Sequence, residues 1–143
     1  MTNDELFQRE YERPRIGVFG CGCWFYWHQF EGLRERLLEH QSVFEQRLAG
    51  MGVDVVSAGL VDRPPAAVEA GDTFRREGID FLICFMSTYA LSSTVLPVAQ
   101  RACVPMIIVS LQPNPAMDYA HGTTFMQLEH DNQTSLPEVC CAL

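Results

Sequence analysis

The chain has 143 residues, of which 48% are apolar and 20% are charged, and acidic side chains outnumber basic ones to give a net charge of −8. This length and composition predict one globular domain with a single continuous core. The acidic balance, in a chain without any run of basic residues, argues against nucleic acid and anionic membranes as partners, because both bind clustered positive charge.

The chain begins with a charged leader over residues 1–14 that has no apolar signal core, so we expect a cytoplasmic protein with one domain over residues 15–143. A β-branched and aromatic run predicts the first strand over residues 15–20, and glycines and aromatic residues follow it. Apolar residues at helical spacing then predict an amphipathic helix from Phe30 to Met51.

Strands and helices continue to alternate along the rest of the chain. Pro64 and Pro65 predict the first turn of a second helix, because proline fits that position. The other predicted elements are strands over residues 53–57, 79–85 and 105–110, and helices that end near Glu77, span residues 91–102 and begin at Ser135. The uncharged stretch from Phe81 to Gln100 contains serines, a threonine and a proline, which indicate a strand followed by a helix rather than a membrane span.

This alternation predicts an α/β fold, a doubly wound parallel sheet of four or five strands in the order 2-1-3-4 with helices on both faces. In such a fold, ligands bind in the loops at the carboxyl ends of the strands. Those loops are predicted at Gly20–Phe30, Gly59–Pro64, Met86–Leu91 and Leu111–His121. The six cysteines are expected to be free thiols, since the cytoplasm is a reducing compartment.

The first of these loops holds four consecutive aromatic residues, Trp24 to Trp27, followed by His28, Gln29 and Phe30. We expect this much aromatic surface to stack on a ligand or to meet a partner subunit. The alternative is a plug that closes the top of the sheet. A dinucleotide site is not expected, because the loop has neither a third glycine at the Rossmann spacing nor a Walker lysine.

Two further segments offer polar side chains. Tyr89, in the loop after the third strand, is a candidate contact for a sugar, and capping of the next helix by Ser92 and its neighbours is an equal alternative. The segment from Glu129 to Gln133 gathers carboxylate, imidazole and amide groups, which can ligate a divalent ion. A solvated turn is the preferred interpretation of that segment, because ligand geometry does not follow from adjacency.

The first loop, Tyr26 to Phe30 followed by Gly32 and Leu33, matches the pattern Tyr-Trp-x-Gln-Phe with a subsequent Gly-Leu. Further matching residues lie at 52–56, 58–62, 70–76, 88–98, 100–102, 104–105 and 111–113. On these residues the sequence resembles the L-arabinose isomerase-like branch of the arabinose/fucose isomerase family, over about residues 15–143.

The resemblance implies a flavodoxin-like N-terminal domain of an enzyme that isomerises an aldose such as arabinose to its ketose. It also implies that a divalent ion, typically manganese, is held by two glutamates and two histidines from a part of the polypeptide beyond this domain. The domain itself would line the sugar pocket of a neighbouring subunit in a homo-oligomer, with Tyr26, Gln29, Tyr89 and Gln133 as substrate contacts. No catalytic residue, metal ligand or cofactor site is expected in this chain.

The sequence ends at Leu143, within a predicted helix and before any residues that match the metal-binding part of the family. We therefore expect the chain to be inactive as an isomerase on its own, whether it is a fragment or a stand-alone domain. The alternative is a free-standing module, derived from that domain, that binds a sugar or a partner protein. A flavodoxin or response regulator ranks lower, because no acidic cluster follows the first strand and the chain has no lysine.

Overall fold

The computed structural model describes residues 13–143, so all but the last two residues of the predicted leader lie outside this range. Four strands form the sheet: β1 Arg15–Cys21, β2 Asp54–Val61, β3 Phe81–Met86 and β4 Met106–Val109. All three pairings are parallel and the order is β2-β1-β3-β4. The predicted doubly wound, flavodoxin-like α/β fold is confirmed.

Five α-helices accompany the strands within the described range. They are α1 Leu33–Ala49, α2 Pro64–Glu77, α3 Ser92–Ala102, α4 Thr124–Glu129 and α5 Leu136–Ala142. A single 3-10 turn, Trp24–Tyr26, lies in the loop between β1 and α1. None of the helices within residues 13–143 combines the length and the hydropathy that a bilayer crossing would need.

The helix α2 begins and ends as its sequence predicts. Pro64 and Pro65 occupy its first turn, where a missing backbone N–H costs nothing. Gly78 ends it with a φ of 61°, a left-handed conformation that glycine adopts without strain, and its N–H bonds the carbonyls of Phe74 and Arg75. Gly71, in the middle of α2, permits close packing on α3, because a Cβ there would lie 2.7 Å from Arg101 Cβ.

The second strand is longer than the sequence predicted. The prediction ended it at residue 57 and assigned Gly59 to a loop, whereas β2 continues to Val61. The register between β1 and β2 shifts after Val18, and Gly59 has a φ of 64° at this irregularity. A bulge at a glycine therefore lets pairing resume, and Leu60 and Val61 extend the buried edge of the sheet.

The two faces of the sheet differ in what covers them. On the closed face, which α2 and α3 cover, Phe19, Phe74 and Val98 are fully buried. The other face carries α1, and we call it the open face; Phe44 of α1 lies 5.1 Å, centroid to centroid, from Phe85 of β3. On the same face the edge strand β4 leaves Ile107 47% exposed.

The last 20 residues cross the carboxyl edge of the sheet, a path that the sequence did not predict. The helix α4 starts at a Thr123 cap, whose hydroxyl accepts a 3.2 Å hydrogen bond from the N–H of Met126. Buried Thr88, just beyond β3, donates its hydroxyl to the carbonyl of Leu128 at 2.6 Å. Val139 of α5 is fully buried in the core of the closed face, so the tail is an integral part of the domain.

Candidate functional site at the carboxyl edge

The strand order places a topological switch point between β1 and β3. From β1 the chain continues outward to β2, and from β3 it continues to β4 on the opposite side. Loops at such a point diverge and leave a crevice at the carboxyl edge of the sheet. The two loops concerned are Gly22–Gly32 and Ser87–Leu91, which hold the aromatic cluster and Tyr89.

Asp62, directly after β2, anchors the aromatic loop. Its Oδ2 accepts a 2.7 Å hydrogen bond from the indole N–H of Trp27, and its Oδ1 accepts one of 2.9 Å from Arg63. Burial alone would raise the pKa of Asp62, but the hydrogen bonds from Arg63 and Trp27 together outweigh burial and lower it. Sequence reasoning missed this anchor. A usable signal was the position of the aspartate directly after a strand that pairs with β1, the strand that leads into the aromatic loop.

The aromatic residues of the loop divide between its surface and a small apolar cluster. Trp24 is 46% exposed and Phe25 37% exposed, and the guanidinium of Arg63 lies 5.8 Å from the centroid of the Trp24 ring. The half-buried aromatic residues of the loop pack on a small apolar cluster between α1 and α4. The cluster has Leu33, Leu37 and Leu128 at its centre, and Tyr26, Trp27, Phe30 and Phe125 pack against it. The loop is therefore a rigidly held surface feature with an aromatic outer side.

Two of the four predicted substrate contacts, Tyr26 and Tyr89, lie in the two loops at the switch point. Tyr26 and Tyr89 are both half-buried there. Burial is the largest cause that raises the pKa of Tyr26, and charges on Cys23, Asp131 and Tyr89 raise it further, which reflects how closely these groups gather. Each of the two side chains offers a hydroxyl group beside an aromatic face.

The other two predicted contacts lie on the surface. Gln29 is exposed, and its side-chain amide donates a 3.1 Å hydrogen bond to the carbonyl of Phe25, which closes the loop on itself. Gln133 is exposed in the segment between α4 and α5.

The polar segment after α4 does not converge into a metal site. Glu129 contacts α1, whereas His130 donates from Nδ1 to the carbonyl of Met126 at 2.6 Å and accepts at Nε2 from the Asn114 amide at 3.0 Å. Asp131 bonds the hydroxyl of Thr134. Within residues 13–143, no three His, Cys, Asp or Glu side chains gather around a point that could hold an ion.

Two buried thiols near the carboxyl edge, Cys23 and Cys84, have raised pKa values. Burial is the largest cause that raises the pKa of Cys23 to about 11, and the pKa of Cys84 is raised by its hydrogen bond with Cys21 and by burial. A thiol with so high a pKa is a poor nucleophile, because the thiolate is the reactive form. The carboxyl edge therefore offers hydroxyls and aromatic faces for binding.

A second concave region, which sequence reasoning missed, lies on the open face. We call it the α1 cavity; it has a volume of about 350 Å³ and lies between α1, the end of β3, Glu129 of α4 and the loop Leu111–Pro113. Its polar lining side chains are His40, Arg47, Ser87, Gln112 and Glu129.

Comparison of the chain with models of protein families and with curated protein sequences found no match. The chemistry of the two concave regions is thus the basis for the functional proposals that follow.

Proposed function

We propose that this chain is the N-terminal substrate-pocket and oligomerisation domain of a metal-dependent aldose–ketose isomerase of the L-arabinose/L-fucose type, and that it is inactive alone. The observation that carries the proposal is the position of Tyr26 and Tyr89, both half-buried at the switch point of a flavodoxin-like sheet. That is the place where this class of fold binds its ligands.

The chemistry of the crevice supports a sugar as the ligand. A sugar presents C–H faces and hydroxyl edges together, and tyrosine offers an aromatic face and a hydroxyl group in one side chain. The loop that carries Tyr26 is fixed through the Trp27–Asp62 hydrogen bond, which keeps the ring in place before a ligand arrives. A pre-positioned side chain binds with a smaller entropic cost than a mobile one.

The outer side of the aromatic loop supports assembly with other subunits. Trp24, Phe25 and Leu91 are between 37% and 46% exposed, although each is large and apolar. Contiguous apolar surface of this kind is typical of protein interfaces. Under the proposal, a partner subunit covers this surface and the two chains together complete the sugar pocket.

The proposal assigns the divalent metal, manganese, to the remainder of the enzyme. Residues 13–143 offer no convergent set of carboxylate and imidazole ligands, so this part of the chain does not fit a metal site of its own. The role left for its residues is to bind and orient the sugar and to exclude water from the pocket.

The test is sugar binding by the chain, measured by saturation-transfer NMR with L-arabinose and L-fucose. We expect Tyr26→Phe and Tyr89→Phe each to weaken binding about fivefold, the effect of losing one hydrogen bond. Tyr119→Phe is the matched control, because Tyr119 is 87% exposed. Ketose formation by the chain alone with added manganese, or sugar binding that ignores both substitutions, would contradict the proposal.

A second candidate function is a free-standing module that binds a partner protein. It is favoured by the exposure of Gln29 and Gln133, whose amide groups are open to a partner surface. The oligomeric state of a double variant, Trp24→Ser with Phe25→Ser, separates the two functions and is measured by sedimentation. Loss of a homo-oligomer supports the isomerase domain, whereas a chain that is monomeric before and after the change, and binds no sugar, supports the module.

A further inference from the structure

The α1 cavity has an acceptor at one end. Glu129 is 7% exposed; its Oε1 accepts a 2.9 Å hydrogen bond from Arg36 Nε and lies 3.3 Å from His40 Nε2. Its second oxygen, Oε2, accepts no hydrogen bond from residues 13–143, and Glu129 lines the cavity. That oxygen is not enclosed by the protein, so a donor group on a ligand in the cavity can reach it.

The middle of the cavity is apolar. Phe44 and Phe85 form a tilted pair with an interplanar angle of 31°, and Val43 and Leu111 stand at the mouth, each about half exposed. Aromatic and aliphatic walls of this kind bind a flat ring through its faces and exclude water from it.

The far end of the cavity carries a free cation. Arg47, in the last turn of α1, lines the cavity and forms no ion pair or side-chain hydrogen bond with other residues of the described range. It lies seven residues beyond His40 on the same helix, which is roughly 10 Å along the axis at 1.5 Å per residue. The cavity is therefore a slot with an acceptor at one end and a positive charge at the other.

We propose that the α1 cavity binds a small aromatic acid, with a hydroxyl group on its ring directed to Glu129 and its carboxylate directed to Arg47. The charge pattern selects this class, because an apolar segment of a protein would leave Glu129 Oε2 and Arg47 without partners. The site is distinct from the crevice at Tyr26 and Tyr89, so the inference does not depend on the proposed isomerase role.

Three probes separate the contributions of the two ends. They are 4-hydroxyphenylacetate, phenylacetate, which lacks the ring hydroxyl, and 2-(4-hydroxyphenyl)ethanol, which lacks the charge. Backbone amide shifts in two-dimensional NMR report binding to the chain. We expect 4-hydroxyphenylacetate to shift residues around Phe44 and Phe85, with a Kd on the order of 1 mM for a fragment of this size. Each of the other probes should bind several-fold more weakly.

Arg47→Gln should weaken 4-hydroxyphenylacetate about fivefold and leave the uncharged alcohol unchanged, as expected for a partly screened charge contact. Arg75→Gln is the matched control, because Arg75 is an exposed arginine in the last turn of α2.

Val43→Trp should fill the mouth of the cavity and abolish binding, and it is tolerated by the fold because Val43 is 52% exposed. Absence of shifts near Phe44 and Phe85, or binding that ignores both Arg47→Gln and Val43→Trp, would overturn the proposal.

Discussion

On the closed face of the sheet, α2 and α3 pack against each other and against the strands, whereas on the open face α1 is the main cover and a cavity remains beside it. The closed face buries Phe19, Phe74 and Val98 completely. The open face buries polar side chains beside its apolar ones, among them Gln41 at 2% exposure and Glu129 at 7%. The comparison separates the face that stabilises the domain from the face that has groups to offer a ligand.

Glycines serve the two faces in different ways. Gly71 lets helices approach, because a Cβ there would lie 3.1 Å from the carbonyl oxygen of Pro97. Gly20 of β1 instead makes room for polar atoms, since a Cβ there would meet Gln41 Oε1 and lie 2.6 Å from Ser87 Oγ. Gln41 Oε1 has no hydrogen-bond partner within residues 13–143, so the open face carries an unfavourable buried acceptor that a close-packed core would not.

The largest effect should come from a pair of matched truncations, one on each face. Phe74→Ala removes a fully buried ring from the closed face and should lower the free energy of unfolding by about 3–5 kcal/mol. Phe44→Ala removes a half-buried ring at the cavity and should cost only about 1–2 kcal/mol, because less surface returns to water. Urea unfolding followed by circular dichroism measures both.

A control for these truncations should remove side-chain surface without any other change. Ala67→Gly does not meet this condition, because it changes helix propensity as well as packing. A better control is Tyr119→Ala, an exposed aromatic residue whose loss should change stability by less than about 0.5 kcal/mol. Equal costs for Phe74→Ala and Phe44→Ala would show that the two faces contribute alike to stability, and the comparison would fail.

The second effect concerns the Asp62 anchor of the aromatic loop. Its pKa is lowered in the folded state, so its stabilisation is present above the ordinary value of 3.8 and is lost as the pH falls through the folded value. Asp62→Asn keeps an acceptor for Trp27 but loses the charge that Arg63 contacts. We expect it to cost about 1 kcal/mol at pH 7 and nothing in stronger acid.

Tryptophan fluorescence during urea unfolding at pH 7 and at pH 2.5–3 measures this difference. Asp72→Asn is the control, since Asp72 pairs with Arg101 on the surface, away from the aromatic loop. A cost for Asp62→Asn that persists unchanged in acid would mean that shape, rather than charge, holds the loop.

The fold was predictable because its signals are local. Apolar runs such as Ile79–Phe85 and the proline turn at Pro64 identify elements without any knowledge of their neighbours. The sheet order placed Tyr26 and Tyr89 at one edge for the same reason, since parallel strands end together. The end of β2 was missed because Gly59, which normally ends a strand, forms a bulge inside one.

The α1 cavity was not predictable, because its groups come from distant parts of the sequence. Arg36 and Glu129 are 93 residues apart and meet only when α4 packs on α1. The six-residue α4 itself has too short an apolar pattern to be identified, and its path depends on the hydrogen bond between Thr88 and Leu128. Side-chain pairing across such separations depends on tertiary packing, which periodicity does not describe.

The third effect is a pH response from the open face. Burial lowers the pKa of His40 and Arg36 lowers it further, as does His130, while Glu129 and Glu39 oppose the change. The unfolded chain therefore binds a proton on His40 at higher pH than the folded chain does. Stability contributed by neutral His40 is present above its ordinary pKa of 6.5 and is lost as the pH falls from there toward the folded value.

His40→Gln should remove this pH-dependent part of the free energy of unfolding. The stability profile of the variant should therefore be flatter between about pH 7.5 and 5, the range in which histidine titrates. The measurement is the urea midpoint of wild type and variant at several pH values in that range. His121→Gln is the control, because His121 is exposed in the loop before α4. Parallel profiles for wild type and His40→Gln would place the pH response elsewhere.

The last prediction concerns the rate at which cysteines are labelled, which reports on opening of the closed face directly. Cys103, Cys140 and Cys141 are exposed, whereas Cys21, Cys23 and Cys84 are buried, so a thiol reagent should label three cysteines rapidly and three slowly in the native chain. The slow class should react at least about a hundredfold more slowly, because labelling requires an opening of the packed core.

Phe74→Ala should accelerate labelling of Cys84, its neighbour in the closed-face core, while Phe44→Ala should leave it nearly unchanged. Peptide mass spectrometry after timed labelling identifies each site. Rapid labelling of Cys84 in the wild-type chain, or equal acceleration by the two substitutions, would show that the closed face opens as readily as the open one.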